Sequence, residues 1–362
     1  MRVLFAFATD WTKEIADFER GSVPAHRLFG YAEVRKMGHE AYTCSAPAFL
    51  NRWMRKPILW RVYQAIFAAL HQWETDCIFA VNEASALPVL LLKRLGLLKT
   101  PVIVFNCGLM HPRNRIGSRQ AAWKWLLPCA EAVVSQTTME YDSVGEEFGL
   151  RKDRQFLIPM LVDVEFFKPE AGVGAGDYCL SAGTNEGRDY PTLLKAFPPE
   201  EKLIIVTDPH NAAIVKKHAG SGMRVQVLQA VPISELKALY QNARVMINPL
   251  REIEYCSGHT VLLENMALGK PVIISKVSGM RDYLEDGKAA IGVQPGNVDE
   301  LRQRIRECLD EPERFAAIGT RAAQWVRQFS TEEFAKKLVS LAERVSVARG
   351  SHSTRSVNLQ RI

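Results

Sequence analysis

The chain has 362 residues, enough for two α/β domains of ordinary size, each with its own core. Its composition, 47% hydrophobic and 24% charged, is that of a globular protein, and no uncharged apolar run reaches the ~18–20 residues of a membrane helix. The net charge is a modest +6, and the seven cysteines form neither a CxxC pair nor a metal-type spacing, which points to reduced thiols in a cytoplasmic protein.

The start, MRVLFAFATDW, lacks a basic leader and a cleavage site, so it does not read as a signal peptide. Residues 2–8 read as a strand, residues 24–38 as one amphipathic helix that Gly38 ends, and residues 39–46 as a second strand. Between Glu40 and Glu74, and again between Glu83 and Glu131, there are eleven basic residues and no acid. No recognition motif accompanies that charge, so nucleic acid is not the expected partner. Residues 50–73 mix Trp53, Trp60, Phe67 and Trp73 with Arg52, Arg55, Lys56 and Arg61. They read either as amphipathic helices with core aromatics or as an interfacial helix on anionic lipid, peripheral to a membrane.

Residues 76–82, 100–108 and 130–136 are short apolar runs of the buried, parallel-sheet kind, with helices at 86–96 and 138–149. Residues 154–159 close this half. Residues 169–178, PEAGVGAGDY, read as a linker between a domain of residues 1–168 and one of residues 179–330. The second series runs through strands at 178–183, 202–207, 224–229, 244–249, 271–275 and 289–293, with helices from Pro191 and over 234–243. Helices from Val298 to about Val347 follow, of which 331–347 is expected to cross back to the first domain. Residues 348–362 have no apolar pattern and read as a disordered tail. Two Rossmann-like, doubly wound domains of this kind face each other across a cleft at the carboxyl ends of their sheets.

The stretch CSGHTVLLENMALGKPVI, residues 256–273, is a loop of small and hydroxyl residues that runs into a helix and then a strand. Backbone amides near Gly258 and Thr260 have no intrahelical partners, and with the helix dipole they favour an anion. Glu264 follows about one turn after Thr260, and a carboxylate there suits ribose hydroxyls. Read alone, Glu264 is equally an acid on a helix surface, and Arg188 in GTNEGRDY a solvated loop arginine.

In order, residues 181–197, 233–249 and 257–293 resemble the donor half of the retaining family-four glycosyltransferases (glycosyl transferases group 1), which have the GT-B fold. GSVPAHRLFGYAEVRKMGHEAY resembles their opening Gly-Gly loop, helix and Gly-His turn, and Asp163, Phe167 and Pro169 fit their Asp-x-x-x-Phe-x-Pro pattern. The resemblance covers residues 1 to about 345 and rests on the ordered set rather than on any single motif. It implies transfer of a hexosyl group, with retention, from a nucleotide diphosphate sugar, a UDP sugar first, with no cofactor and no metal. The donor would be held by Gly183, Thr184, Arg188, Ser257, Gly258, His259, Thr260, Glu264 and Glu254, with Gly21 and Ser22 of the opening loop. Arg188 would neutralise the departing diphosphate, and His111 is the second candidate catalytic residue. Asp10, His26, Asn82, Glu83 and His111 are the acceptor-side candidates. The acceptor would be lipid-linked, a polysaccharide or a small molecule.

No Asp-x-Asp pair, P-loop, GxSxG elbow or zinc spacing offers other chemistry. Two departures stand out. Cys256 occupies the position of the first of two family glutamates eight residues apart, with Glu252 or Glu254 as the nearest substitutes. Thr184 stands where many members carry an arginine, which leaves the diphosphate to Arg188 and Arg251. These departures keep two alternatives open: a catalytically inactive nucleotide-sugar-binding protein, and a GT-B sugar-nucleotide epimerase.

Overall fold

The computed structural model describes residues 1–46, 56–170, 176–284 and 288–357, with side chains through residue 347. Arg52, Trp53 and Arg55 lie outside the described residues, as does the middle of the segment read as a linker.

Strands β1 (Arg2–Ala6), β2 (Glu40–Thr43), β3 (Cys77–Ala80), β4 (Val102–Phe105), β5 (Ala132–Ser135) and β6 (Gln155–Leu157) form one sheet, in the order β2-β1-β3-β4-β5-β6. Every pairing is parallel, with Val3 beside Ala41 on one side and Cys77 on the other. β3, β4 and β5 are buried along their whole length, as strands covered on both faces must be. This sheet belongs to a unit of Met1–Arg20, Ala25–Pro159 and the chain from Thr331 on.

Residues 24–38 are not one helix. A 3₁₀ turn at Ala25–Leu28 is separated from the helix Tyr31–Lys36 by Phe29 and Gly30, both with positive φ. Gly30, at +85°, lies against the Phe334 ring, 3.1 Å from where a Cβ would stand, so the break makes room for the C-terminal helix. Phe334 then packs edge-on against Phe105 and Phe79. The C-terminal helix runs Thr331–Val357, past residue 347, so the tail read as disordered from 348 has a helical backbone as far as Val357. Extending an anchored helix costs far less than starting one. Residues 358–362 lie outside the described residues.

The second unit, Gly21–Pro24 and Met160–Ser330, has its own sheet. It contains β7 (Tyr178–Ala182), β8 (Lys202–Val206), β9 (Arg224–Leu228), β10 (Met246–Asn248), β11 (Val272–Ser275) and β12 (Ile291–Val293), all parallel. Their order is β12-β11-β10-β7-β8-β9. Successive strand residues point to opposite faces. Leu180, Ile204 and Met246 therefore join one core with Tyr240, Leu263 and Tyr283, while Cys179, Ile205 and Ile247 join another with Tyr190 and Ile305. Strand order reverses between β7 and β10 in this sheet and between β1 and β3 in the first. At such a point the loops after the two strands part, leaving a crevice at their carboxyl ends.

Candidate functional site

Loops from β7 and β10 meet at the second unit's switch point. Asp189 N–H donates to Pro249 O at 3.0 Å, Arg251 N–H to Gly187 O at 2.9 Å, and Arg188 bridges Leu250. Gly183, with φ +148°, lies under the Arg188 guanidinium, which occupies the space a Cβ would take. Its carbonyl accepts from Thr207 Oγ1 at 2.6 Å and Tyr190 Oη at 2.9 Å. Arg188 is only 3% exposed, and burial pulls its pKa down. Its Nε and Nη1 have no hydrogen-bond partner among the described residues. A buried cation with free N–H groups is costly, and it is a strong binder of an anion that reaches it.

The helix His259–Ala267 starts beside this arginine loop. Gly258, its N-cap, has φ +85°, and a Cβ there would stand 3.1 Å from Asn248 Nδ2 and the Leu250 methyls. Asn248 Nδ2 donates to Gly258 O at 3.2 Å, and Ser257 Oγ donates to Asn185 Oδ1 at 2.7 Å. Asn185 O in turn accepts from Asn211 Nδ2 at 3.1 Å. Gly187 lets these loops close, because its Cβ would come within 2.6 Å of Ser257 Oγ.

His259 is buried, with Nε2 2.8 Å from Gly279 O and the Tyr283 ring edge-on at 4.5 Å. Burial lowers its pKa to about 4, so near neutral pH it is an uncharged donor to that carbonyl rather than a cation for a phosphate. Glu264 is 4% exposed. Beside it, the Tyr240 hydroxyl has a pKa raised first by burial and then by the Glu264 charge, without a bond of ordinary hydrogen-bonding geometry. The Arg188 charge acts on both Tyr240 and His259. Arg188, Tyr240, His259 and Glu264 thus form one buried polar cluster at the switch point.

The remaining candidates of this unit differ in setting. Thr260 and Cys256 are half-buried, while Thr184 and Glu254 are exposed. Arg251 lies 3.9 Å from Asp189, and Glu252 accepts from Ser278 N–H with both oxygens, at 3.0 and 3.2 Å. Gly21, φ +71°, has open space where a Cβ would be, and it belongs with Ser22 to the second unit.

In the first unit several candidates have local structural work. Asp10 accepts from Thr12 N–H and Oγ1, and Asn82 forms a reciprocal capping box with Ser85 at the start of the helix Glu83–Arg94. His111 Nδ1 accepts from Arg113 N–H at 3.2 Å, capping the turn Pro112–Asn114, and His26 is buried in its 3₁₀ turn. Glu83 Oε1 lies 3.7 Å from Arg113, while its Oε2 is buried without a hydrogen-bond partner among the described residues. Trp60, one of the aromatics of 50–73, is core and donates to Phe7 O at 3.2 Å, whereas Trp73 is 73% exposed.

Sequence reasoning missed Asn185, Asn248 and Tyr240. Asn185 lies within a loop already singled out. Tyr240 occupies an apolar position of its helix, and only the fold shows its hydroxyl beside a carboxylate. Among the described residues there is no group of three or more His, Cys, Asp or Glu able to hold a metal ion, and no helix long and apolar enough to cross a membrane.

Residues 188–311, about a third of the chain, match the model of the family described as glycosyl transferases group 1. A D-inositol 3-phosphate glycosyltransferase of Catenulispora acidiphila is 22% identical over 275 residues, covering 68% of this chain and 64% of its own. The chain thus spans less than two thirds of that relative. Among solved structures, sucrose-phosphate synthase from Thermosynechococcus elongatus superposes with a TM-score of 0.73 at 17% identity, over 96% of this chain and 99% of its own. Anabaena HepE in complex with UDP gives a TM-score of 0.70 at 16% identity, over 95% of this chain and all of its own, 100%. The architecture is the expected GT-B fold.

Proposed function

We propose that the chain is a retaining glycosyltransferase of the family-four type, which moves a hexosyl group from a nucleotide diphosphate sugar, a UDP sugar first, to an acceptor engaged by the first unit. The observation that carries this reading is the buried Arg188 guanidinium, whose Nε and Nη1 lack partners among the described residues, at the switch point beside the Gly258 helix start. That arrangement suits a diphosphate. The UDP and UDP-glucose complexes of HepE support the donor class.

As the glycosidic bond breaks, charge grows on the diphosphate, and a fixed cation in a water-poor site stabilises the transition state more than the bound donor. Arg188 takes that role, with the free amides of the helix start beside it. Glu264 accepts from the ribose hydroxyls. The departing diphosphate receives the proton of the incoming acceptor hydroxyl on the same face of the sugar, which retains the anomeric configuration without a protein nucleophile. Positive charge comes from Arg188 and the helix rather than a divalent cation. The acceptor is an anionic or lipid-linked hydroxyl compound, matched to the acid-free basic stretches of the first half.

The decisive experiment incubates the protein with UDP-glucose and other nucleotide sugars without acceptor and follows nucleotide release. Slow release supports a transferase. A second reading is favoured by Cys256, which supplies no carboxylate at the sugar. It predicts tight binding of the donor with no release at any time. Conversion of the sugar with the nucleotide still attached would make the protein an epimerase.

A further inference from the structure

The first unit contains a cavity of about 710 Å³ among the helices Pro57–Leu70, Glu83–Arg94 and Gly117–Leu126 and the loop after β4, within the range of small-molecule sites. Three arginines line it from three elements. Arg61, on the helix Pro57–Leu70, donates from Nε to Ala8 O just beyond β1 at 3.2 Å. Arg113 follows β4, and Arg119 stands on the helix Gly117–Leu126. Glu83 is the acid among the lining residues, so positive charge dominates. Between the arginines the wall is apolar, with Val62, Leu87, Pro88 and Trp123.

The apolar wall continues outside. Ile58, Val62, Ile66 and Leu70 recur every four residues along one face of their helix and are 72%, 46%, 49% and 74% exposed. Leu87, Leu91 and Leu95 form a second such row, 40%, 37% and 59% exposed, from the helix Glu83–Arg94. Apolar rows of this extent mark an interaction surface. A second copy of the chain would bring like-charged arginines together, whereas an anionic amphiphile satisfies both features at once.

We propose that this cavity binds an amphiphilic phosphate, a phosphate or phosphodiester head on an alkyl or prenyl chain. The head sits among Arg61, Arg113 and Arg119, where guanidinium forks match phosphate oxygens. The chain passes Leu87 and Val62 and runs out along the exposed rows toward the lipid from which it came. Naming this occupant the acceptor, or part of it, rests on the transferase reading; the binding itself does not.

The test is calorimetric titration of the full chain with a monoacylglycerol phosphate below its micellar concentration, beside glycerol phosphate, the matching monoacylglycerol and UDP. The amphiphilic phosphate should bind at least 10-fold more tightly than either half-molecule. Arg119→Glu and Leu87→Asp, both at exposed positions, should each weaken it about 10-fold or more and leave UDP affinity unchanged. Equal affinity for glycerol phosphate would reduce the site to an anion site, and equal affinity for the monoacylglycerol to an apolar groove; either overturns the proposal. So does the absence of binding, or concentration-dependent dimerisation that the amphiphile does not disturb. Amphiphile binding without binding of UDP or any other nucleoside diphosphate would leave this site standing and sink the transferase reading.

Discussion

Arg188→Met should stabilise the ligand-free protein while disabling the donor site. Arg188 is 3% exposed, with two guanidinium nitrogens lacking partners among the described residues. Each unsatisfied buried donor costs about 1–3 kcal/mol, so replacing the charge by an apolar chain of similar length removes a cost that lost packing only partly restores. A net gain of about 2 kcal/mol is expected, which for a unit the size of Met160–Ser330 raises its melting temperature by about 4–8 °C. The same change removes charge-assisted bonds worth about 1.5–3 kcal/mol each to a bound diphosphate, so UDP affinity should fall at least about 10-fold. Turnover should fall further, by about 10²–10³, because the lost interaction strengthens in the transition state. Scanning calorimetry with and without UDP reads both effects. A variant that melts lower without ligand and keeps its UDP-dependent shift would make Arg188 a structural residue and refute the reasoning.

Glu264→Ala should weaken UDP binding by about 1.5–3 kcal/mol, and unchanged affinity in the folded variant would overturn the ribose assignment. His259 has a folded pKa of about 4 against about 6.5 when unfolded, so its contribution is complete above pH 6.5 and is lost as pH falls toward 4, about 3 kcal/mol in all. His259→Asn should therefore flatten the fall in melting temperature between pH 7 and 4.5; parallel curves for both proteins would contradict the buried neutral imidazole. Nucleotide release should survive exhaustive chelation, and a loss restored by Mg²⁺ would end the metal-independent mechanism. The protein should co-sediment with anionic but not neutral vesicles, at roughly 1 kcal/mol per basic residue near the surface, and reversing Arg52, Arg55 and Lys56 to Glu should abolish this; wild-type protein that ignores anionic vesicles at low salt would point to a soluble acceptor.

The parallel sheets were legible because strands buried on both faces read as unbroken apolar runs, as in residues 102–105 and 272–275. Arg188 and the Gly258 helix start could be singled out because glycine-marked loops after strands stand out in a sequence, and the structure brings both to the β7/β10 switch point. Helices such as Thr12–Glu19 and Pro209–His218 were missed, since they carry few apolar positions, and the second is set by its Asp208 cap. The break at Gly30 depends on Phe334, three hundred residues away in sequence, and no local pattern encodes it. Asn82 and Asp10 look like ligand-binding polar residues in a sequence, yet caps use the same side chains at the same strand-to-helix junctions.

On the transferase reading, the loop holding Cys256 bears on how the sugar would be held. Glu252 cannot replace a carboxylate there without giving up its contacts to Ser278 N–H, which fix the start of the 3₁₀ turn Ser278–Tyr283. Glu186 accepts from Tyr255 Oη at 2.7 Å, which ties the acid of the β7 loop to the loop after β10. Glu254 is exposed and stands two residues before Cys256, so it is the nearer substitute to test. On the proposed reading the diphosphate would meet the buried Arg188 rather than any of these acids, although they share its two loops. If the proposed function holds, donor binding and sugar selection are separable: Glu254→Gln should alter discrimination among sugars sharing one nucleotide while leaving UDP affinity itself unchanged.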